Sequence, residues 1–295
     1  IMSSDWSSDV CSSDLGRKLK VLSLDKNNKL KFSKIYDYLE HPDNLFEIFH
    51  DQSKSPVKAT KHHSVFILEE GKIKEKEVSK LKEGDYLITI NSSSQAGWIK
   101  NPKYIDNPHT FNGKSKISKV KLNKDLMRLI GYYLAEGHVT NIINQVGFSF
   151  GKKEKGYIRD CKRLLEDITK RHISIRHPNK GSTQILIHSK EWASFFENYC
   201  GKAREKHVPE FIWKVEKDLF KEMLKGYIRG DGHKIGKYTI KAKSVALQMT
   251  RELVWLCKIH GISCNLNYEK NKPHILPQGN RFKGSFVYSI SIPKS

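Results

Sequence analysis

The chain has 295 residues, 38% hydrophobic and 10% aromatic, enough apolar material for two or three folded domains rather than a disordered polymer. Lys and Arg number 53 against 32 Asp and Glu, and the formal net charge of +21 argues for a polyanionic partner, nucleic acid ahead of a membrane. No apolar run approaches the ~18 residues of a membrane helix, no basic segment leads into a hydrophobic core at the N-terminus, and the five cysteines (Cys11, Cys161, Cys200, Cys257, Cys264) lack paired spacing, so a cytoplasmic chain with reduced thiols is expected.

Residues 1–17 repeat Ser-Ser-Asp at Ser3, Ser7 and Ser12 without helical or strand periodicity, which predicts a disordered tail. The same run resembles a translated sequencing adapter. Over 18–92 the segments "LKVLSL", "PVKATKHHSVFIL" and "GDYLITI" carry β-branched and aromatic residues between turn signals such as Asn27-Asn28 and Glu70-Gly71. They predict a small all-β unit. Residues 93–122 are rich in Ser, Asn, Pro, Gly and Lys with no sustained period, which predicts a basic linker.

From residue 123 the chain runs one programme twice, over 123–214 and 215–295. In the first copy Asn123 can cap a helix with Leu126, Leu129, Ile130, Tyr133 and Leu134 at helical spacing, stopping at Gly137. Strands "HVTNII" and "QVGFSF" follow, then an amphipathic helix over 154–171 with Ile158, Cys161, Leu164, Leu165 and Ile168 on one face. Strands "ISIRH" and "QILIHS" and a helix in "EWASFFENY" close the unit. The second copy begins with Leu219, Phe220, Met223, Leu224 and Tyr227 on a helix ending at Asp231-Gly232. Strand "YTIKAK", a Ser244-capped helix through His260, and strands "CNLNY" and "FVYSISI" match the first copy in order. No counterpart of "EWASFFENY" follows, so a C-terminally truncated second unit is expected. Cys257, His260 and Cys264 sit around the end of a helix without a fourth ligand nearby, which reads as core packing rather than a metal site.

Both leading helices end on an acid before glycine. Gly131 and Ala135 are four apart in one, Gly226 and Gly230 in the other, a narrow small-residue stripe that lets two helix backbones approach. Parallel packing along those stripes would bring Glu136 and Asp231, 95 residues apart, to the same end. Adjacent carboxylates repel, and either one takes up a proton or a cation sits between them. Hard oxygen donors of this kind suit Mg²⁺ bridging to phosphate, which in a basic protein is the chemistry of metal-assisted phosphodiester hydrolysis.

"LIGYYLAEG" and "MLKGYIRGDG" resemble the two signature helices of the LAGLIDADG (DOD-type) homing endonucleases in their monomeric, two-motif form. The resemblance runs from Asn123 to the end of the chain. It implies an α+β fold of two pseudo-symmetric αββαββα half-domains whose strands form a saddle on a long, specific site in double-stranded DNA, and a monomer with an internal two-fold. It implies that Glu136 and Asp231 are the metal-binding catalytic acids, with Mg²⁺ as cofactor and the carbonyls of Ala135 and Gly230 as further metal ligands. The first acid is Glu rather than Asp, a substitution the family accepts. "REKHVPEFI" resembles the lysine block that precedes the second motif in intein endonucleases, which implies a catalytic role for Lys206; a surface lysine is the alternative. By the repeat, its partner lysine would lie past Ser295.

"VKATKHHSVFIL" resembles the Thr-x-x-His block of Hint (intein) domains, with Thr60 and His63 in the positions that assist acyl shift, and "LKEGDYLIT" resembles the strand that closes that region. A Hint-like all-β domain before the endonuclease is thereby implied. The nucleophile block and a terminal His-Asn pair are missing, so splicing by this chain is not expected. Lys152, Lys153, Arg176, Lys237, Lys241 and Lys243, on or beside predicted strands, are candidates for DNA contact or else a solvated charged edge. Two other readings stay open: a non-cleaving nucleic-acid binder of the same fold (DNA regulator or RNA maturase), and a splicing-active intein with its true ends elsewhere.

Overall fold

The computed structural model describes residues 20–25, 27, 30–35, 42–51, 53–89, 101–111, 114–271, 274–275, 281–282 and 285–293. The expected tail over 1–17, Cys11 and the first part of the expected linker lie outside the described residues. The chain divides into two compact units, one within 1–48 and 56–98, the other within 49–55 and 99–295.

The strands β1 (Lys20–Leu24), β2 (Leu30–Lys34), β3 (Leu45–His50), β4 (Ser53–Thr60), β5 (Ser64–Glu69), β6 (Lys72–Glu77) and β7 (Tyr86–Leu87) come first. Within the first unit β1 pairs antiparallel with β2, and β5 is the central strand between β6 and β7. Ile67, Ala59 and Val78 are its buried hydrophobics among the described residues, while Phe66, Leu68 and Tyr86 stay exposed. Thr60 and His63 bracket a turn closed by the His63 N–H donating to Thr60 O at 3.1 Å. The imidazole of His63 is exposed.

The second unit corrects the linker expectation. Tyr104–Phe111 (β8) and Lys114–Lys121 (β9) form an antiparallel hairpin. Few apolar side chains anchor it, chiefly Ile105 and Val120, so no hydrophobic period marks it in the sequence. It is held instead by polar contacts to a later helix, α3 (Lys190–Cys200). Fully buried Asn107 donates to Glu191 O at 3.2 Å, Ser194 Oγ donates to Pro108 O at 3.0 Å, and the Tyr199 hydroxyl donates to Asp106 O.

Next come α1 (Lys124–Glu136), β10 (Gly137–Thr140), β11 (Gln145–Gly151), α2 (Lys155–Thr169), β12 (Ser174–Arg176), β13 (Ser182–His188) and α3. The order then repeats as α4 (Lys217–Asp231), β14 (Gly232–Ile235), β15 (Thr239–Ser244), α5 (Leu247–Ile259), β16 (Asn265–Asn271), a pair of two-residue strands β17 (His274–Ile275) and β18 (Arg281–Phe282), and β19 (Ser285–Pro293). The first sheet runs β10-β11-β13-β12 and the second β14-β15-β19-β16, so the repeat extends to topology. Asn123 caps α1 as expected, its side chain accepting from Leu126 N–H at 2.9 Å.

Three expectations are corrected in detail. β14 was not expected, because its four residues alternate no apolar face and are exposed beyond Gly232. "HVTNII" is strand only to Thr140, after which Asn141–Ile143 form a 3-10 turn ending on Asn144 at φ 47°. Helix α5 starts after Ala246, not from a Ser244 cap; Ser244 Oγ accepts from the Ala246 N–H at 3.2 Å in a local turn.

One contiguous core joins the two sheets through α1 and α4, with Leu126, Leu129, Ile130 and Tyr133 from one helix and Phe220, Met223 and Tyr227 from the other. Each such buried side chain stabilises by roughly 1.5–3 kcal/mol. Along the flank of the helix pair, Arg128 binds Glu222 at 2.9 Å, Asp125 at 3.1 Å and Asp160 at 3.2 Å, and Arg229, in the last turn of α4, binds Asp160 at 2.6 Å. This network ties α1, α2 and α4 together.

Candidate active site

The axes of α1 and α4 run parallel at backbone contact. A Cβ added at Gly131 would lie 2.0 Å from Met223 O, and one at Gly226 would lie 2.2 Å from Arg128 O. At Gly230 it would lie 2.4 Å from Ala135 Cβ and 3.0 Å from Glu136 Cγ. The small-residue stripe thus reaches the last turn of both helices and seats Glu136 beside the residue preceding Asp231.

The glycines after the acids have a steric reason. Gly137 leaves α1 straight into extended backbone at φ −79° and ψ 147°, and a Cβ there would strike Tyr133 Cα at 2.6 Å and its ring at 2.2 Å. Gly232 makes the same exit from α4, against Ile228 O at 2.3 Å. Only glycine lets the chain pass directly from helix to strand here, so each carboxylate stands where a helix end meets the first strand of a sheet.

Lys206 completes the cluster. It is 7% exposed, and its Nζ donates to Tyr133 O at 2.8 Å and Leu134 O at 3.1 Å, with Ala135 O at 3.5 Å. Its loop is bent tightly to reach this point. Gly201 (φ 68°) ends α3 and Ala203 (φ 44°) reverses the chain; a Cβ on Gly201 would meet Glu205 O at 2.4 Å. The loop is pinned by Val208 N–H donating to Glu252 at 2.6 Å and by the Tyr133 hydroxyl donating to Gly201 O at 3.1 Å.

The electrostatics of the three groups are coupled. Burial, then Asp231 and Glu154, push the Glu136 carboxyl up to about 7, against the pull of Lys206. Burial raises Asp231 to about 6, again opposed by Lys206. Burial lowers Lys206 to about 8, with Asp231, Cys200 and Glu136 holding the charge on. Two carboxylates near one ammonium, once ionised, leave a net negative site, which a divalent cation would relieve. Among the described residues no group of three or more His, Cys, Asp or Glu could hold a metal by itself. A carboxylate pair with helix-end carbonyls suits Mg²⁺, a cation that keeps water and phosphate among its ligands.

The structure therefore brings together Glu136, Asp231, Lys206, Ala135 and Gly230. The basic candidates do not form one cluster. Lys152 and Lys153 are exposed in the turn after β11, Arg176 is exposed at the end of β12, and Lys237 lies in the β14–β15 turn with its Nζ 5.3 Å from the Tyr238 ring centre. Lys241 and Lys243 are both paired with Glu269. Cys257 and Cys264 are hydrogen-bonded to each other and His260 stacks on Phe220 at 4.7 Å, all within the core. Sequence reasoning passed over Glu154, Glu269 and His138. The last had a signal, since Glu-Gly-His at 136–138 recurs as Asp-Gly-His at 231–233. His138 lies across Gly147, where a Cβ would be 2.4 Å from its Nε2. His233 pairs instead with Lys241 and is exposed.

Register defines the helix-free face of each sheet. Val146, Phe148, Ile185 and Ile187 point to the core, leaving Gln145, Ser149, Gln184, His188 and Arg176 on the other side. In the second sheet Ala242, Leu266 and Ile290 are core and Lys241, Lys243, Asn267, Ser289 and Ser291 oppose them.

Residues 123–201 match the family model described as a LAGLIDADG-like domain. Among curated proteins, the uncharacterized protein MJ1054 of Methanocaldococcus jannaschii is 28% identical, over 83% of this chain and 36% of its own length. The DNA-directed RNA polymerase subunit Rpo1C of the same organism is 26% identical over 77% of this chain and 28% of its own. A DNA polymerase of Thermococcus sp. is 28% identical over 63% and 11%. The chain thus spans about a third or less of the curated relatives it matches. Similar solved structures include the homing endonuclease I-DmoI with DNA and Mn (TM-score 0.38, 14% identity, 57% of this chain and 89% of that one). Full-length DUF199/WhiA from Thermatoga maritima is another (TM-score 0.40, 14% identity, 58% and 51%). No helix among the described residues is long and apolar enough to cross a membrane.

Proposed function

We propose that this chain is the endonuclease part of an intein, a cytoplasmic, monomeric, site-specific enzyme that hydrolyses phosphodiester bonds in both strands of a long DNA target. The observation that carries the reading is the seating of Glu136 against Gly230, which brings two burial-raised carboxyls to one end of the helix pair, with the charge of a buried lysine acting on both. The net charge of +21 supplies attraction for a polyanion. The intein origin is supported by the hosts of the matching segment: a polymerase subunit, a replication factor C small subunit and DNA polymerases, each matched over a minor part of its length. The Thr60 and His63 block is consistent with a Hint relic in front.

In this reading Glu136 and Asp231, with the carbonyls of Ala135 and Gly230 close by, hold Mg²⁺, which when bound activates water and neutralises charge on the phosphate. Both acids must be ionised to bind it. Lys206 favours that form against the effect of burial, and it closes the C-terminus of α1, whose partial negative charge would otherwise add to theirs. Its third N–H, with Ala135 O as nearest acceptor at 3.5 Å, is the one available to a phosphate oxygen or a water. The helix-free faces offer Gln184, Arg176, Lys241 and Asn267 to base edges, and Lys152, Lys153 and Lys237 to the backbone.

The test is incubation with a randomised duplex library in Mg²⁺ or EDTA, beside Glu136→Gln and Asp231→Asn, with sequencing of new ends and of retained DNA. Metal-dependent ends at one extended site, absent from both variants, are expected. Retention by all three proteins without new ends would instead mark a non-cleaving binder.

A further inference from the structure

A cavity of about 280 Å³ opens beside Asp231. Its walls include Ala135, Lys206 and Asp231 of the cluster above, but also Lys243, Ser244 and Val287 from the second sheet. Lys243 is thus a second lysine on the wall that Asp231 shares.

Register shows that this lysine belongs to one half only. Gly137 pairs with Phe148 in the first sheet as Gly232 pairs with Ala242 in the second, so Lys241 and Lys243 occupy the places of Gly147 and Ser149. Ser149 is neutral and accepts from Gln184 at 3.3 Å. The internal two-fold is therefore broken beside the acids, with strand lysines on the Asp231 side alone.

Lys243 is not idle in this structure. Its Nζ donates to Glu269 Oε2 at 2.9 Å, and Lys241 holds the other oxygen of the same carboxylate. Glu269 sits opposite Val287, itself a wall of the cavity. Between Lys243 and Asn267 in the strand register lies Ser289, 2% exposed, with no hydrogen-bond partner for its hydroxyl.

Resting on the endonuclease reading, we propose that Lys243 is a phosphate-binding residue of the Asp231 cavity, restrained by Glu269 until DNA is seated. A carboxylate in the major groove can accept from a cytosine amino group, which would compete with Lys243 for Glu269. Engagement of that base would loosen its hold on Lys243, which then turns its ammonium to a backbone phosphate beside Asp231. No bond is made or broken by the lysine; it neutralises charge.

The test measures affinity for a non-specific duplex as a function of salt for the full chain, Lys243→Met, Lys243→Arg and Glu269→Gln, followed by single-turnover cutting of the selected target in a supercoiled plasmid. Lys243→Met is expected to lower the slope of log affinity against log salt by about 1, and Lys243→Arg to restore it. Glu269→Gln is expected to tighten non-specific binding. In cutting, Lys243→Met should slow one strand roughly a hundredfold, so that nicked circles accumulate where the parent gives linear DNA. An unchanged slope in Lys243→Met, with only a lower melting temperature, would make the lysine a structural ion pair and overturn the inference. A parent chain that binds duplex but never cuts would overturn the endonuclease reading, and the salt slopes would still decide the role of Lys243.

Discussion

Lys206 Nζ donates to Tyr133 O at 2.8 Å, so a side chain from the loop after α3 closes the end of the helix that carries Glu136. One buried charge serves two purposes there. It donates to carbonyls of the last helical turn, and it offsets the repulsion between Glu136 and Asp231. Tyr133 O accepts from the Gly137 N–H as well, and the ammonium reaches one residue further to Leu134 O at 3.1 Å.

Replacing this lysine separates the two purposes. Lys206→Met is expected to destabilise the fold by about 1–3 kcal/mol through unsatisfied carbonyls, and to slow cutting by roughly a hundredfold or more. Urea denaturation and single-turnover cleavage measure the two effects. Cutting at the parent rate would remove Lys206 from the chemistry.

The paired acids make a pH prediction. Glu136 rises from 4.5 to about 7 and Asp231 from 3.8 to about 6, so the folded protein binds these protons more tightly than the unfolded chain does. Their contribution to stability is fully present below the unfolded values and is lost as pH rises through about 6 and then about 7. Lys206 has the opposite sign: its contribution is present above 10.5 and is lost as pH falls through about 8. Without divalent metal, the parent should lose stability relative to Glu136→Gln between pH 4.5 and pH 7.5, and added Mg²⁺ should reverse the loss at the upper end. Parallel denaturation midpoints for the two proteins across that range would show that the carboxyl is not perturbed.

The helix contact makes a steric prediction with a built-in control. Gly131→Ala places a methyl 2.0 Å from Met223 O and is expected to cost about 3 kcal/mol, since the backbones must separate. Gly156→Ala, in α2 with nothing within 4 Å, is expected to be neutral or stabilising by up to about 1 kcal/mol. Thermal melts of both variants check this, and similar melting temperatures would contradict the close approach.

The exposed basic residues divide by what they touch. Lys152→Ala and Lys153→Ala are each expected to lower the salt slope of DNA binding by about 1 while leaving site preference alone. Arg176→Ala, on the helix-free face, should relax preference at one base pair at a cost of about 1–3 kcal/mol. Selection from a randomised library followed by titration at several salt concentrations distinguishes the two classes.

Much of this site was legible in the chain itself. Apolar spacing marked α1 and α4, acid-glycine marked their ends, and the small residues at 131, 135, 226 and 230 marked the faces that meet. These are short-range signals, because helical periodicity and the absence of a Cβ act within a few residues. The β8–β9 hairpin left no such signal, for its anchors are polar bonds to α3, some 84 residues further on in the case of Asn107.

The sequence by itself determined the two acids, their separation by one repeat and the order of elements around them. Tertiary structure alone decided that Lys206 is buried under the end of α1, that Glu154 adds to the field at Glu136, and that Glu269 grips Lys243. A lysine reads as a surface residue in any local window. Its burial depends on which carbonyls and carboxylates the folded chain brings within about 4 Å of its ammonium, and Coulomb interactions at that range do not depend on distance along the sequence.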